Sequence, residues 1–252
     1  MFYESEAGFK ESSGHEIDGV WYPRVTKILD IKAKPALYRF YGEVANYNAG
    51  QAIAQKSAEE GTKIHETVES LLLDENPVIT QDIKPAIDAF LDILSKNGIH
   101  TRPDYVERRI VNYEHRYAGT VDALASIDGK FGVLDIKTSQ SIYRDYNLQT
   151  SAYVAALADE FQNLETRWIL RIDQIKTCLK CGATLREKGG RKKIKIPRGG
   201  KTNCEHEWSE LKGEAELQEF PFWEKDFQAF LGAKKLWEWE NEYMLKKIGY
   251  LK

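Results

Sequence analysis

Two aspartates and a lysine carry the clearest chemical signal in the chain. Asp122 and Asp135 lie on alternating runs, Thr120 to Ile127 and Lys130 to Thr138, separated only by Asp128-Gly129. Both residues of that dipeptide tolerate the positive φ of a tight hairpin turn. If Ile127 pairs with Lys130, Asp122 falls opposite Asp135, with facing Cβ atoms about 4.5–5.5 Å apart. Lys137 shares their face because the strand period is two. Facing carboxylates repel, so the pair points to a divalent cation held by both. The same residues also read as solvent-exposed aspartates on an edge strand, partly neutralised by Lys137. The opposite face, with Val121, Ala123, Ala125, Ile127, Leu134 and Ile136, is apolar enough to lie against a helix. The pattern predicts one face for the core and one for chemistry.

A second group of ligand types lies downstream. Cys178-x2-Cys181 and Cys204-x-His206 supply four soft or borderline ligands in two tight pairs, a pattern that suits tetrahedral Zn²⁺. Glu205 and Glu207 are weaker candidates for the fourth position. Without a thioredoxin-like βαβ pattern around it, the Cys-x-x-Cys does not read as a redox pair. The stretch from Lys176 to Lys201 holds ten Lys/Arg and one acid, so it carries +9 while the rest of a chain of net charge −3 carries −12. Such a segment suits a polyanion, although a solvated loop also tolerates many lysines. Arg191, Lys192, Lys193, Lys195 and Arg198 are the residues expected to hold phosphates without reading bases, on a basic hairpin or flexible loop projecting from the cysteines.

These groups must be positioned by ordinary elements. A chain of 252 residues that is 42% hydrophobic supports a sizeable core and excludes intrinsic disorder. No apolar run reaches the roughly 18 residues of a membrane-spanning helix, and the acidic start MFYESEAGFKESSG is no secretory leader, so a soluble cytoplasmic protein is expected. Residues 1–24 read as a short hairpin about Asp18-Gly19, with Thr26 capping a short helix. Helices are expected within 36–73 and over 79–97, strands over Tyr105–Asn112 and Thr166–Asp173, and a helix over Asp145–Asp159. A strand from Leu217 and one long helix over Trp223–Lys247 follow, and residues 174–212 form an insert. His65 stands beside an apolar stripe four residues after Gly61, open to a core-edge role or a ligand role. Gln149 and Tyr153 share a helix face, and Glu107 reads as a third acid near the metal or, more simply, as an exposed charge paired with Arg109 or Arg116.

The order of these motifs, Gly61-x-x-x-His65, Gly119-Thr-x-Asp122, Asp135-x-Lys137-Thr and Gln149-x-x-x-Tyr153, resembles the PD-(D/E)XK nuclease superfamily, specifically its RecB-like exonuclease branch. The run WYPRVTKIL followed by KPAL also looks like the opening segment of phage and mitochondrial exonucleases of that branch. The resemblance implies an α/β restriction-endonuclease-like core, a mixed central β-sheet flanked by helices, making residues 1–252 one nuclease domain with a zinc-binding basic insert at 174–212. It implies Mg²⁺ or Mn²⁺ held by His65, Asp122, Asp135 and the Ile136 carbonyl. Lys137 would activate water, and Gln149 and Tyr153 would position the lysine or the scissile strand. The implied substrate is DNA, single-stranded or at duplex ends, in a bacterial or phage-infected cytoplasm. The late, clustered cysteines depart from the four-cysteine iron–sulfur arrangement of many relatives. Two other readings stand beside this one: a structure-specific endonuclease of the same fold, and a non-catalytic nucleic-acid-binding module that uses the insert.

Overall fold

Positive φ at Asp18 and Gly19, 51° and 74°, closes the first hairpin, β1 (Gly14–Ile17) with β2 (Val20–Pro23). A helix absent from the expectation, α1 (Glu6–Ser13), precedes it, capped by the Ser5 hydroxyl, which accepts from the Gly8 amide. The computed structural model describes all residues except Met1, Phe2, Glu4, Lys201 and Thr202. Lys201 of the basic segment therefore lies outside the described residues. Next come α2 (Val25–Ile28), which starts one residue before the expected Thr26 cap, α3 (Pro35–Glu43) and the 26-residue α4 (Tyr47–Leu72). α5 (Lys84–Lys96) begins five residues later than periodicity suggests, with Pro85 in its first turn, where a missing N–H costs nothing.

The sheet is mixed. β3 (His100–Asn112) and β4 (Tyr117–Ile127) are antiparallel, and β4 turns through Asp128-Gly129 into β5 (Lys130–Lys137). The crossover helix α6 (Asp145–Leu157) then delivers β6 (Thr166–Thr177) parallel to β5. Beyond it, β7 (Thr184–Lys188) and β8 (Arg191–Lys195) form a hairpin that pairs with the far end of β6. β9 (Lys212–Glu219) lies antiparallel on β6 and starts five residues before the expected strand. The terminal helix is two, α7 (Glu224–Glu240) and α8 (Glu242–Lys247), broken at Asn241. Leu236 and Tyr243 on it are exposed, as is Leu91 on α5, although periodicity places all three inward. Among the described residues no helix is long and apolar enough to cross a membrane.

Both sheet faces are buried, as a mixed sheet flanked by helices requires, so the face that carries the aspartates is also part of the core. Ala123, Ala125, Ile127, Leu134 and Ile136 pack on Ile64 and Val68 of α4 and Ile87 and Phe90 of α5. Val121 departs from that set and joins the second cluster, where Leu124 and Val133 meet Tyr153, Val154 and Leu157 of α6 and Phe230 and Trp237 of α7. Leu124 pairs with Val133 and both are 0% exposed. Burying two such side chains contributes about 1.5–3 kcal/mol each. That outweighs the repulsion of two facing aspartates, about 1 kcal/mol or less. The apolar pair therefore holds the register that brings the acids together.

Candidate active site and metal centres

The β4–β5 ladder runs from Ile127–Lys130 to Ala123–Leu134, in the register expected from the turn. One step further, Asp122 meets the β5 backbone: its Oδ2 accepts from the Ile136 amide at 2.6 Å. Asp135 is 0% exposed and is held by Lys137, whose Nζ lies 2.9 Å from Oδ1 and 2.8 Å from Oδ2. Oδ2 receives no well-directed hydrogen bond among the described residues, so one buried carboxylate oxygen retains free acceptor capacity. Gln149 Nε2 donates to Asp135 Oδ1 at 3.3 Å and to the Tyr153 hydroxyl at 2.8 Å. The sheet anchors α6 through the Tyr117 hydroxyl, which donates to the Ala152 carbonyl at 2.8 Å. A Cβ on Gly119 would lie 2.8 Å from the Tyr153 ring, so the glycine of the Gly-Thr-x-Asp motif is the room that α6 needs to seat Gln149 over Asp135.

α4 brings His65 to the same place, its Nε2 3.3 Å from Asp122 Oδ2. A Cβ on Gly61, one turn earlier, would lie 2.6 Å from Thr138 Oγ1, so that glycine admits the end of β5 against α4. Glu107 corrects the expected surface ion pair. Its neighbours pair as Val106–Ala123 and Arg108–Val121, which puts Glu107 opposite Asp122. The register of β3 slips between Thr101 and Val106, and Glu107 itself takes φ 48°. A non-glycine residue in that left-handed region stores about 1–2 kcal/mol of strain. The strain turns the side chain inward, and ligand atoms of His65, Glu107 and Asp122 lie within 4.8 Å of one another. Arg116, one expected partner, instead donates to the Tyr250 carbonyl at 2.8 Å.

Electrostatics follow from this crowding. Burial, Asp122 and Glu69 push the Glu107 carboxyl up to about 7. The hydrogen bond with Asp122 raises His65 despite burial. Burial pushes Asp135 up and the nearby Asp122 charge adds to it, while Lys137 opposes both. Burial also pushes Asp122 up, but His65, Lys137 and the Ile136 amide win and hold it low. Lys137 is raised because Asp135 and Asp122 outweigh its desolvation, so it stays an ammonium. Tyr146 of α6, whose ring centre lies 5.3 Å from that ammonium, has no counterpart in the sequence reading, although it stands three residues before Gln149. His65, Glu107 and Asp122 form a group that could hold a metal ion, and beside it Asp135, paired with Lys137, keeps one buried oxygen without a hydrogen bond. An open cleft of about 460 Å³ between α4 and the end of β5 is lined by Gly61, His65, Ile136, Lys137, Thr138 and Lys188.

The four downstream ligands also gather. Cys178 Sγ lies 3.9 Å from Cys204 Sγ, and Cys181 Sγ lies 3.4 Å from His206 Nδ1. A small tetrahedral ion with bonds near 2.3 Å to sulfur and 2.0–2.1 Å to nitrogen separates its ligands by about 3.6–3.8 Å. The Cys3His cluster could therefore hold a metal ion. The backbone frames it: Cys178 N donates to the Ala183 carbonyl at 2.7 Å and Leu179 N to the Glu207 carbonyl at 2.8 Å.

The basic stretch is a hairpin, but it does not project freely. Arg191 pairs with Glu43 of α3 and stacks over Phe40, Lys193 bonds the Gln140 side chain at 3.0 Å, and Lys192 lies 3.8 Å from Glu187. Lys195 and Arg198 are exposed. Two residues at or near the cleft, Glu107 and Lys188, thus escape a reading by motif. No family model matches this chain, and no curated protein matches it in sequence.

Proposed function

We propose that the protein is a divalent-metal-dependent deoxyribonuclease of the PD-(D/E)XK superfamily, in its RecB-like exonuclease branch, acting at DNA ends or on single strands. The observation that carries the reading is the meeting of His65 from α4, Glu107 from β3 and Asp122 from β4, beside the Asp135–Lys137 pair of β5. The exonucleolytic mode and the restriction-endonuclease-like core come from the motif resemblance. His65, Asp122, Asp135 and the Ile136 carbonyl, with Glu107 added, would hold Mg²⁺ or Mn²⁺, which supplies polarisation of the phosphoryl oxygen and a more acidic water.

The chain's own groups do the rest. Lys137 keeps its proton, so it serves as a fixed positive charge for the phosphate oxygens and an orienting donor for the attacking water rather than as a base. Gln149 locks Asp135 by holding Oδ1, and the Tyr153 hydroxyl, accepting from the same amide, locks Gln149. Zn²⁺ is the ion proposed for Cys178, Cys181, Cys204 and His206, with a structural role, since thiolates and imidazole in tetrahedral array suit it. The basic hairpin beside the cleft guides the phosphate backbone.

The test is end-labelled DNA with Mg²⁺ or Mn²⁺, alongside covalently closed circular DNA. Cleavage of linear strands, sparing of circles, and loss on the order of 10³-fold in Asp135→Asn are expected, the last being a few kcal/mol of transition-state stabilisation. Linear DNA left intact with both ions, or a fully active and folded Asp135→Asn, overturns the proposal.

A further inference from the structure

The insert places one cation where its function differs from that of its neighbours. Lys188 ends β7 and lines the cleft together with His65, Ile136, Lys137 and Thr138. Its Nζ donates to the Thr138 carbonyl at 2.6 Å. An ammonium has three donors, so two remain. Other cations of the insert are matched to a protein partner: Arg186 with Asp173, Arg191 with Glu43, Lys192 with Glu187 and Lys193 with Gln140. Lys188 is half-buried and, among the described residues, forms no ion pair. The acids that act on it at longer range, Asp173 and Glu60, are engaged by Arg186 at 2.6 Å and by the Gly189 amide at 2.9 Å. A half-buried ammonium with no carboxylate in contact is costly to desolvate, and an anion in the cleft is the partner that relieves it.

The mounting is rigid. Gly189 takes φ 62°, and a Cβ there would fall 2.4 Å from the Ile53 carbonyl, so the β7–β8 turn is pressed onto α4. Gly61 contributes from the other side: a Cβ on it would lie 3.4 Å from Lys188 Nζ. The missing side chain makes room for Thr138, and the ammonium lies in ordinary contact beside it.

We infer that Lys188 is a substrate-binding residue of this cleft, holding one phosphodiester of the strand bound beside His65 and Lys137. The inference rests on the nucleic-acid reading of the site and deepens it, since it turns the insert from a general basic surface into the donor of one defined contact. Lys188 touches the strand and not the scissile chemistry, so it acts on binding.

The experiment measures binding of a labelled single-stranded oligonucleotide in Ca²⁺, for the wild type, Lys188→Met and Lys188→Arg. A parallel series carries one neutral methylphosphonate linkage, moved one position at a time. Lys188→Met is expected to weaken binding about tenfold and to lower the slope of log K against log salt by about 0.7, the value for one phosphate on a single strand. One methylphosphonate position should weaken the wild type by the same factor and leave Lys188→Met unaffected, and Lys188→Arg should recover most of the loss. The thermal midpoint and the metal content of the cysteine cluster should stay unchanged. In cleavage assays the loss should fall on KM, with kcat within about twofold.

Unaltered binding by Lys188→Met, or methylphosphonates that weaken both proteins equally at every position, overturns the assignment. Wild-type protein that binds with the expected linkage signature but cuts nothing in Mg²⁺ or Mn²⁺ overturns the nuclease reading and supports Lys188 as a phosphate contact. Cleavage with no effect of Lys188→Met does the reverse, and absence of DNA binding overturns both.

Discussion

Glu107→Gln is the most incisive perturbation of the acidic site, because the residue was reached only through a strained bulge. Its carboxyl sits at about 7, raised by burial and by the charges of Asp122 and Glu69. A cation can be ligated only by the deprotonated form. At pH 6 about one Glu107 in eleven is ionised and at pH 8 about ten in eleven, so this residue alone makes cation affinity rise about tenfold over that interval, one decade per unit of mismatch. Glu107→Gln keeps the shape of the side chain, lowers affinity at pH 8 and flattens the pH dependence by that same factor. Isothermal titration of Mn²⁺ at pH 6, 7 and 8, in buffers of differing ionisation enthalpy, reads both the affinity and the protons released. At pH 7 the wild type should release about half a proton more than the variant. His65, which the Glu107 charge helps to raise, is held less high in the variant and so adds to the difference in the same direction. Equal pH slopes and equal proton counts in the two proteins would refute the placement of Glu107 among the ligands.

Further outcomes follow from the same geometry. With divalent cations chelated, the raised Glu107 and His65 contribute stability below their unfolded values and lose it as pH rises through their folded ones. The thermal midpoint should therefore fall from pH 5 to pH 8 more steeply in the wild type than in Glu107→Gln, and a midpoint rising with pH would contradict this. Leu124→Ala, which removes the apolar partner of Val133, should cost about 2–5 kcal/mol in urea unfolding. A loss under 1 kcal/mol would show that the register is held otherwise. Cys181→Ser should reduce the zinc bound per chain, measured by atomic emission, and raise protease sensitivity between residues 178 and 208, while full zinc retention would remove Cys181 from the ligand set.

How much of this was legible in the sequence depends on the range of the interactions. The Asp128-Gly129 turn fixes its own register locally, so Asp122, Asp135 and Lys137 converge as their spacing requires. Gln149 and Tyr153 meet because a helix places i and i+4 together. The cysteines and His206 gather where two short ligand pairs allow little else. The choice between the two readings of Glu107 was not legible because its direction is set by a register slip in β3 and a left-handed backbone, neither of which alternation records. The closing pair Asn112–Tyr117 carried the clue, since counting back from it sets Glu107 against Asp122. The second buried face was not legible in the hairpin alone because Leu124 and Val133 stand in the same alternation as the aspartates, and only α6 and α7 decide that their end of the face is dry. Lys188 is a matter of tertiary docking, through contacts from the insert to Glu60 and Thr138 more than forty residues away in the chain.

The long strand β6 has an architectural consequence of its own. Its first half pairs β5, its length pairs β9 as far as Ile175–Lys212, and its last two residues carry β7. The insert is thus a bracket bolted to a beam that also floors the central sheet, about seven residues, or roughly 23 Å, along the strand from the pair Lys137–Arg171 to Cys178. Because Ile175 and Lys212 already sit side by side, a tight turn spans the same gap, and the bracket is detachable in principle without reopening the sheet. A chain shortened in this way would keep the acids and Lys137 and lose Lys188, separating the acidic site from the cation that the insert brings to its cleft.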